Sequence, residues 1–112
     1  KKYLPHLDYD GFEYLENGGK WQRQLHVYLY PMYYLDYTIA QINAFQYFAW
    51  SLEDQEAAWA SYLKLCELGG RYPTVETLEK VGLKNPFEEG TMKPVVEGLE
   101  KYLVSLDKAK IK

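Results

Sequence analysis

The spacing of apolar residues changes near residue 31, where an irregular segment gives way to a helical pattern. From residue 31 to residue 52, apolar side chains recur every three or four positions, which is typical of a helix with one buried face. Pro31 suits the first helical position because its φ is already fixed near the helical value. The pattern predicts one long helix over residues 31–52. Its buried stripe is expected to be Leu35, Ile39, Ile42, Phe45 and Ala49.

Three more helices are predicted further along the chain, over residues 54–68, 74–81 and 92–106. Ser51 and Asp54 resemble a capping box for the first of them, with Asp54 in the position that is usually Glu, and Gly69-Gly70 is a typical helix end. The short connection before residue 54 favours antiparallel neighbours. The predicted buried side of the last helix comprises Val95, Val96, Leu99, Tyr102, Leu103 and Leu106.

Residues 1–30 show no sustained period. A short helical turn is predicted over residues 12–16, and residues 25–30 are the only candidate strand, although their period is unclear. The sequence therefore predicts an all-α fold, in which an irregular N-terminal segment precedes a bundle of about four helices over residues 31–112.

Composition narrows the possible partners and the compartment. The chain has 112 residues and a formal charge of −3, and the absence of a basic block argues against nucleic acid as a partner. No apolar run approaches the roughly 20 residues that a membrane span needs. The single cysteine, Cys66, permits no internal disulfide and predicts a reducing, cytoplasmic location. Because Cys66 lies in an apolar helical run, a buried and inert thiol is expected.

Candidate chemistry is concentrated between His26 and Tyr37, in the stretch HVYLYPMYYLDY. On a continuous helix, four of its polar and aromatic positions would share one face: Tyr30, Tyr34, Tyr37 and Gln41. Such a stripe suits contact with a peptide or a sugar, since a tyrosine ring offers apolar area and its hydroxyl offers a hydrogen bond. The alternative is that these tyrosines are core residues whose hydroxyls are satisfied.

Motifs for independent catalysis are absent. His6 and His26 are the only histidines, and the sequence contains neither H-E-x-x-H nor C-x-x-C, so no metal ligands are expected in this chain. An imidazole and several phenols could together donate to an oxyanion. Catalysis at such a site would still need a group that activates the electrophile, and this chain lacks one.

Three segments carry a resemblance to a known family: WQRQLHVYLYPMYYLDYTIAQINAFQYFAWS, AWASYLKLCELGG and LKNPFEEGTMKPV. They resemble the C-terminal part of oligoendopeptidase F-type enzymes, which are zinc metallopeptidases related to thimet oligopeptidase. The resemblance implies a helical fold around a deep channel, and it makes residues 1–112 a single fragment of the catalytic domain with residues 1–30 facing the substrate. It also implies that the zinc site lies upstream, so this fragment alone would hold no zinc and hydrolyse no peptide.

The resemblance also implies roles for individual residues. His26 matches a catalytic histidine that contacts the substrate backbone, and Tyr37 matches a tyrosine that donates to the oxyanion. Tyr30 and Tyr34 match tyrosines that bind the short peptide substrate. The remaining tyrosines considered, Tyr28, Tyr33 and Tyr47, are assigned to packing.

Two other interpretations stay open at this stage. The chain could be a free-standing helical module that binds peptides through the tyrosine stripe, or the tyrosines could serve packing alone. A fragment of a larger helical shell would expose apolar surface, so self-association is expected.

Overall fold

The computed structural model describes residue 2 and residues 4–106, and within these residues every regular element is a helix. The α-helices are α1 (Glu13–Glu16), α2 (Leu25–Leu29), α3 (Tyr33–Glu53), α4 (Gln55–Leu68), α5 (Thr74–Val81) and α6 (Met92–Ser105), and a 3-10 helix spans Gly19–Arg23. The predicted all-α class is confirmed. The chain forms two units, residues 1–37 and residues 38–112.

The long helix α3 begins two residues later than the pattern predicted, at Tyr33. Met32 has a φ of 72°, which a right-handed helix does not allow, so Pro31 lies in a turn ahead of the helix. The prediction of Pro31 as the first helical residue is therefore wrong. The sequence pattern could not show this because a proline also suits the turn that precedes a helix.

The start of α4 depends on one side chain rather than on a capping box. Asp54 is the N-cap, and its carboxylate accepts a hydrogen bond from the Ala57 amide at 2.9 Å. Ser51 lies inside α3, where its hydroxyl donates to the Phe48 carbonyl at 2.7 Å. The predicted capping box is therefore wrong for both residues, because Asp54 is the N-cap itself and not the partner of a Ser51 N-cap.

The candidate strand over residues 25–30 is the helix α2. The Tyr30 amide donates to the His26 carbonyl at 3.0 Å, so the backbone donor that a strand would direct to a neighbour is used within the segment. This local hydrogen bonding makes the segment helical, which its ambiguous apolar period could not show.

In the unit of residues 38–112, the core lies where α4 and α5 meet. Leu78, Val81 and Leu83 are buried there, and they are packed against by Tyr47, Trp50, Leu65 and Leu68. Gly82 ends α5 with a φ of 79°, and the Leu83 amide then donates to the Leu78 carbonyl at 2.9 Å. This helix end returns the chain across the core.

Much of the predicted buried surface is not buried in this chain. Among the described residues of α3, Gln46 is buried, whereas all five residues of the predicted stripe are exposed or half-buried. On α6, Val95 is buried but Val96 and Leu103 are exposed. Helical period marks the apolar side of a helix, but burial needs a neighbouring element on that side. Cys66 is exposed for the same reason, so its predicted burial is also wrong.

Candidate functional site

The candidate site lies where the chain turns between α2 and α3. The turn is held by hydrogen bonds from the Tyr33 amide to the Tyr30 carbonyl at 3.1 Å and from the Leu35 amide to the Met32 carbonyl at 2.9 Å. The positive φ of Met32 ends one helical direction and starts another. As a result, His26 on α2 meets the tyrosines of the first turns of α3.

Three tyrosine rings surround the His26 imidazole. The Tyr33 ring stacks on it with centroids 5.4 Å apart and an interplanar angle of 12°. The Tyr34 ring lies at 4.8 Å and the Tyr30 ring at 6.5 Å, both tilted. We call His26, Tyr30, Tyr33, Tyr34 and Tyr37 the His-Tyr cluster. Packing against these rings fixes the plane of the imidazole.

One imidazole nitrogen is left without a partner. His26 Nδ1 is buried and makes no hydrogen bond among the described residues. A buried polar atom without a hydrogen bond costs free energy, and such an atom in a folded protein calls for an explanation. Solvent does not reach this atom in the folded chain.

The Tyr33 and Tyr37 hydroxyls lie 2.9 Å apart. The two residues are one helical turn apart on α3, and their rings meet edge to face at 5.3 Å. The pKa of Tyr33 is raised, first by its hydrogen bond with Tyr37, then by the charge that Tyr37 would carry, by burial and by Asp36. Tyr33 therefore keeps its proton at neutral pH.

Tyr34 is held by a residue that precedes α2. Its hydroxyl donates to Gln24 Oε1 at 2.6 Å, and its ring lies edge-on to Tyr37 at 6.3 Å. The Gln24 contact ties the start of α2 to the start of α3. It thereby fixes the Tyr34 ring beside His26.

The structure brings together all four predicted site residues, His26, Tyr30, Tyr34 and Tyr37, although their roles stay predictions. Tyr37 is 59% exposed and Tyr30 is 62% exposed, so both residues are accessible within the chain. The single helical face that was expected is wrong, because Tyr30 lies before the α2–α3 turn. The other three residues of the predicted stripe, Tyr34, Tyr37 and Gln41, do lie on one helix, α3.

Sequence reasoning missed two members of this arrangement, Tyr33 and Gln24. Tyr33 packs on His26, in keeping with its packing assignment, but its hydroxyl also reaches Tyr37. The four-residue spacing of Tyr33 and Tyr37 was a usable signal. Gln24 offered none, because its contact exists only after the turn has formed.

The other tyrosines assigned to packing lie outside the cluster. Tyr28 stacks on Trp21 with centroids 6.1 Å apart. Tyr47, in the other unit, stacks on Trp50, and its hydroxyl lies 3.1 Å from the Ser61 hydroxyl.

The described part of the chain shows neither a cluster of metal-binding side chains nor a helix that could span a membrane. Residue 2 and residues 4–106 contain no group of three or more His, Cys, Asp or Glu side chains that could hold a metal ion. In the same residues, no helix combines the length and the apolar character that crossing a membrane requires.

Comparison with known proteins gives two informative matches. No protein-family model matches the chain, and no curated protein matches it. A solved structure described as an oligoendopeptidase F is 47% identical with a TM-score of 0.81, and the match covers 94% of this chain and 19% of that one. A PZ peptidase A solved with an inhibitor is 50% identical with a TM-score of 0.81, over 95% of this chain and 19% of that one.

These identities extend over nearly the whole of this sequence, and the helical arrangement agrees as well. The chain spans about 19% of the length of each protein that it matches. The resemblance to oligoendopeptidase F-type peptidases that the sequence predicted is therefore confirmed.

Proposed function

We propose that this chain is part of a zinc-dependent oligopeptidase that hydrolyses short peptides, and that it supplies the donors that hold the substrate and stabilise the oxyanion. The identity to an oligoendopeptidase F and to a PZ peptidase supports this class of activity. The observation that carries the proposal is the meeting of His26, Tyr30, Tyr34 and Tyr37 at one turn.

Tyr37 is the proposed oxyanion donor. Phenols keep their proton at neutral pH, and the exposed Tyr37 hydroxyl can direct its proton to the oxygen that becomes negative during peptide hydrolysis. A fixed donor of this type typically contributes about a hundredfold to a thousandfold in rate. The advantage arises because the donor is already oriented before charge develops.

His26 is the second proposed catalytic residue, and it contacts the peptide backbone. Stacking on Tyr33 holds the plane of the imidazole. Tyr30 and Tyr34 would line the peptide on either side of the imidazole. The metal that activates the reaction would come from residues outside this chain, since the described residues offer no ligand set.

The test is the Tyr37→Phe variant of the longer protein that the proposal requires. We expect kcat for a short peptide to fall about a hundredfold with an unchanged free energy of unfolding, because one hydroxyl donor is lost. Tyr28→Phe is the matched control, since it removes a phenol from the same unit outside the cluster. Wild-type kcat in Tyr37→Phe would contradict the proposal.

The activity of the chain by itself, its zinc content and its location are also predictions. The 112-residue chain by itself should hydrolyse no peptide and bind no stoichiometric zinc. One zinc ion per chain, removable only by a chelator, would contradict the proposal that the zinc ligands lie outside this chain. The cytoplasmic location rests on the single cysteine alone.

A further inference from the structure

We propose that Tyr33 is a positioning residue, which donates its hydroxyl hydrogen bond to Tyr37 and thereby directs the Tyr37 proton toward the peptide oxygen. This inference rests on the proposed function, since it concerns how the oxyanion donor is oriented. It assigns a role to the hydroxyl of a tyrosine that the sequence placed in packing alone.

The geometry connects Tyr33 to both proposed catalytic residues. Its ring stacks on His26 with centroids 5.4 Å apart, and its hydroxyl lies 2.9 Å from the Tyr37 hydroxyl. The two tyrosine rings meet edge to face at 87°, which brings the hydroxyls together at the end of the rings. A side chain locked by packing on one side can hold its hydrogen-bond partner on the other.

Either hydroxyl of this pair could donate, and the proposal assigns the donation to Tyr33. A phenol hydroxyl has one proton to donate and can also accept. The raised pKa of Tyr33, of which its hydrogen bond with Tyr37 is the first cause, agrees with Tyr33 as the donor. Tyr37 then accepts from Tyr33 and keeps its own proton for a ligand. Accepting a hydrogen bond also polarises the Tyr37 O–H bond.

A purely structural role for Tyr33 makes a different prediction. Stacking on His26 uses the ring, which Tyr33→Phe retains, whereas the proposed role uses only the hydroxyl. The effect of Tyr33→Phe should therefore depend on whether the Tyr37 hydroxyl is present.

A double-mutant cycle in the longer protein tests that dependence. With a short peptide as the probe, Tyr33→Phe should lower kcat about fivefold to tenfold, the factor typical of one hydrogen bond, with KM changed less than twofold. In the Tyr37→Phe background, the same substitution should change kcat less than twofold. Tyr28→Phe, which removes a phenol stacked on Trp21, should match the wild type in both backgrounds.

The outcomes separate the inference from the function on which it rests. If Tyr37→Phe lowers kcat but Tyr33→Phe does not, the inference is overturned and the proposed function stands. An equal loss from Tyr33→Phe in both backgrounds also overturns it, because that loss is independent of Tyr37. An unchanged kcat in Tyr37→Phe overturns the proposed function, and the inference with it.

A spectroscopic measurement on the 112-residue chain tests the hydroxyl pair without catalysis. Ring carbon shifts of Tyr33, followed by NMR through alkaline pH, report its titration. Tyr37→Phe should lower the pKa of Tyr33 toward the ordinary value of about 10, whereas Tyr28→Phe should leave it unchanged. An unchanged Tyr33 titration in Tyr37→Phe would overturn the pairing.

Discussion

The Gln46 side chain binds Lys84 through two hydrogen bonds, although 38 positions separate the two residues. Its Nε2 donates to the Lys84 carbonyl at 3.0 Å, and its Oε1 accepts from the Lys84 amide at 2.9 Å. Gln46 is only 8% exposed, so its end of the two part-buried bonds lies away from solvent. The pair fastens α3 to the segment that follows α5.

Gln46→Ala should lower the free energy of unfolding by about 2 kcal/mol, because it removes two part-buried hydrogen bonds to the Lys84 backbone. Urea denaturation of the chain measures this change. The matched control is Gln41→Ala on the same helix, where the side chain is exposed and the change should stay within about 0.5 kcal/mol. Equal losses in the two variants would contradict the role given to Gln46.

Alkaline pH should destabilise the fold through Tyr47. Burial is the main cause that raises the pKa of Tyr47, with further upward effects from Cys66 and Tyr62 and an opposing hydrogen bond with Ser61. The unfolded phenol titrates near pH 10, below the folded one, so the unfolded state loses its proton first. The stabilising contribution is therefore complete below about pH 10 and is lost as the pH rises through the folded pKa.

The measurement is the free energy of unfolding as the pH is raised from about 8 to about 11. The wild type should lose more stability over this range than Tyr47→Phe, which cannot ionise at that position. Tyr28→Phe should behave like the wild type. If Tyr47→Phe loses as much as the wild type, burial of Tyr47 does not control the alkaline transition.

Cys66 should react readily in the folded chain, because its side chain is exposed. We expect a thiol reagent to modify it within about a factor of five of the rate in denaturant, since access rather than unfolding sets the rate. Absorbance of the released chromophore follows the reaction. A reaction rate in the folded chain three orders of magnitude slower would contradict this prediction and would support the buried thiol that the sequence predicted.

Self-association should follow from the apolar residues at the end of α6, which have no cover within the described chain. Leu103 is 65% exposed and Val104 is 80% exposed. Sedimentation velocity of the wild type should show association that increases with concentration, because joining copies buries this surface. Leu103→Glu combined with Val104→Lys should weaken the association, whereas Lys101→Glu, at an exposed polar position of α6, should not. A clean wild-type monomer at high concentration would contradict the prediction.

The sequence predicted the helices well because their signals are local. The predicted bounds of α5 agree with the structure, and those of α4 and α6 agree to within one residue. Each relies on helical spacing of apolar residues and on glycine, proline or aspartate near an end. The predicted start of α3 failed because the left-handed backbone of Met32 has no strong sequence signature.

Burial could not be predicted in the same way. Helical period identified the apolar sides of α3 and α6, but the described chain covers only part of them, as exposed Val96 and Leu103 show. Gln46 is the opposite case, a polar residue that is buried because Lys84 satisfies its amide. Whether a position is buried depends on its neighbours in space, which periodicity does not specify.

The sequence by itself determined the helical class, the resemblance to oligoendopeptidase F-type peptidases and the identity of the four candidate site residues. Only the tertiary structure decided that Tyr33 joins His26 to Tyr37 and that Gln24 holds Tyr34. Helix formation depends on hydrogen bonds between residues close in the chain, so local sequence specifies it. The His-Tyr cluster depends on the direction of the α2–α3 turn, and that direction is fixed only when the backbone has folded.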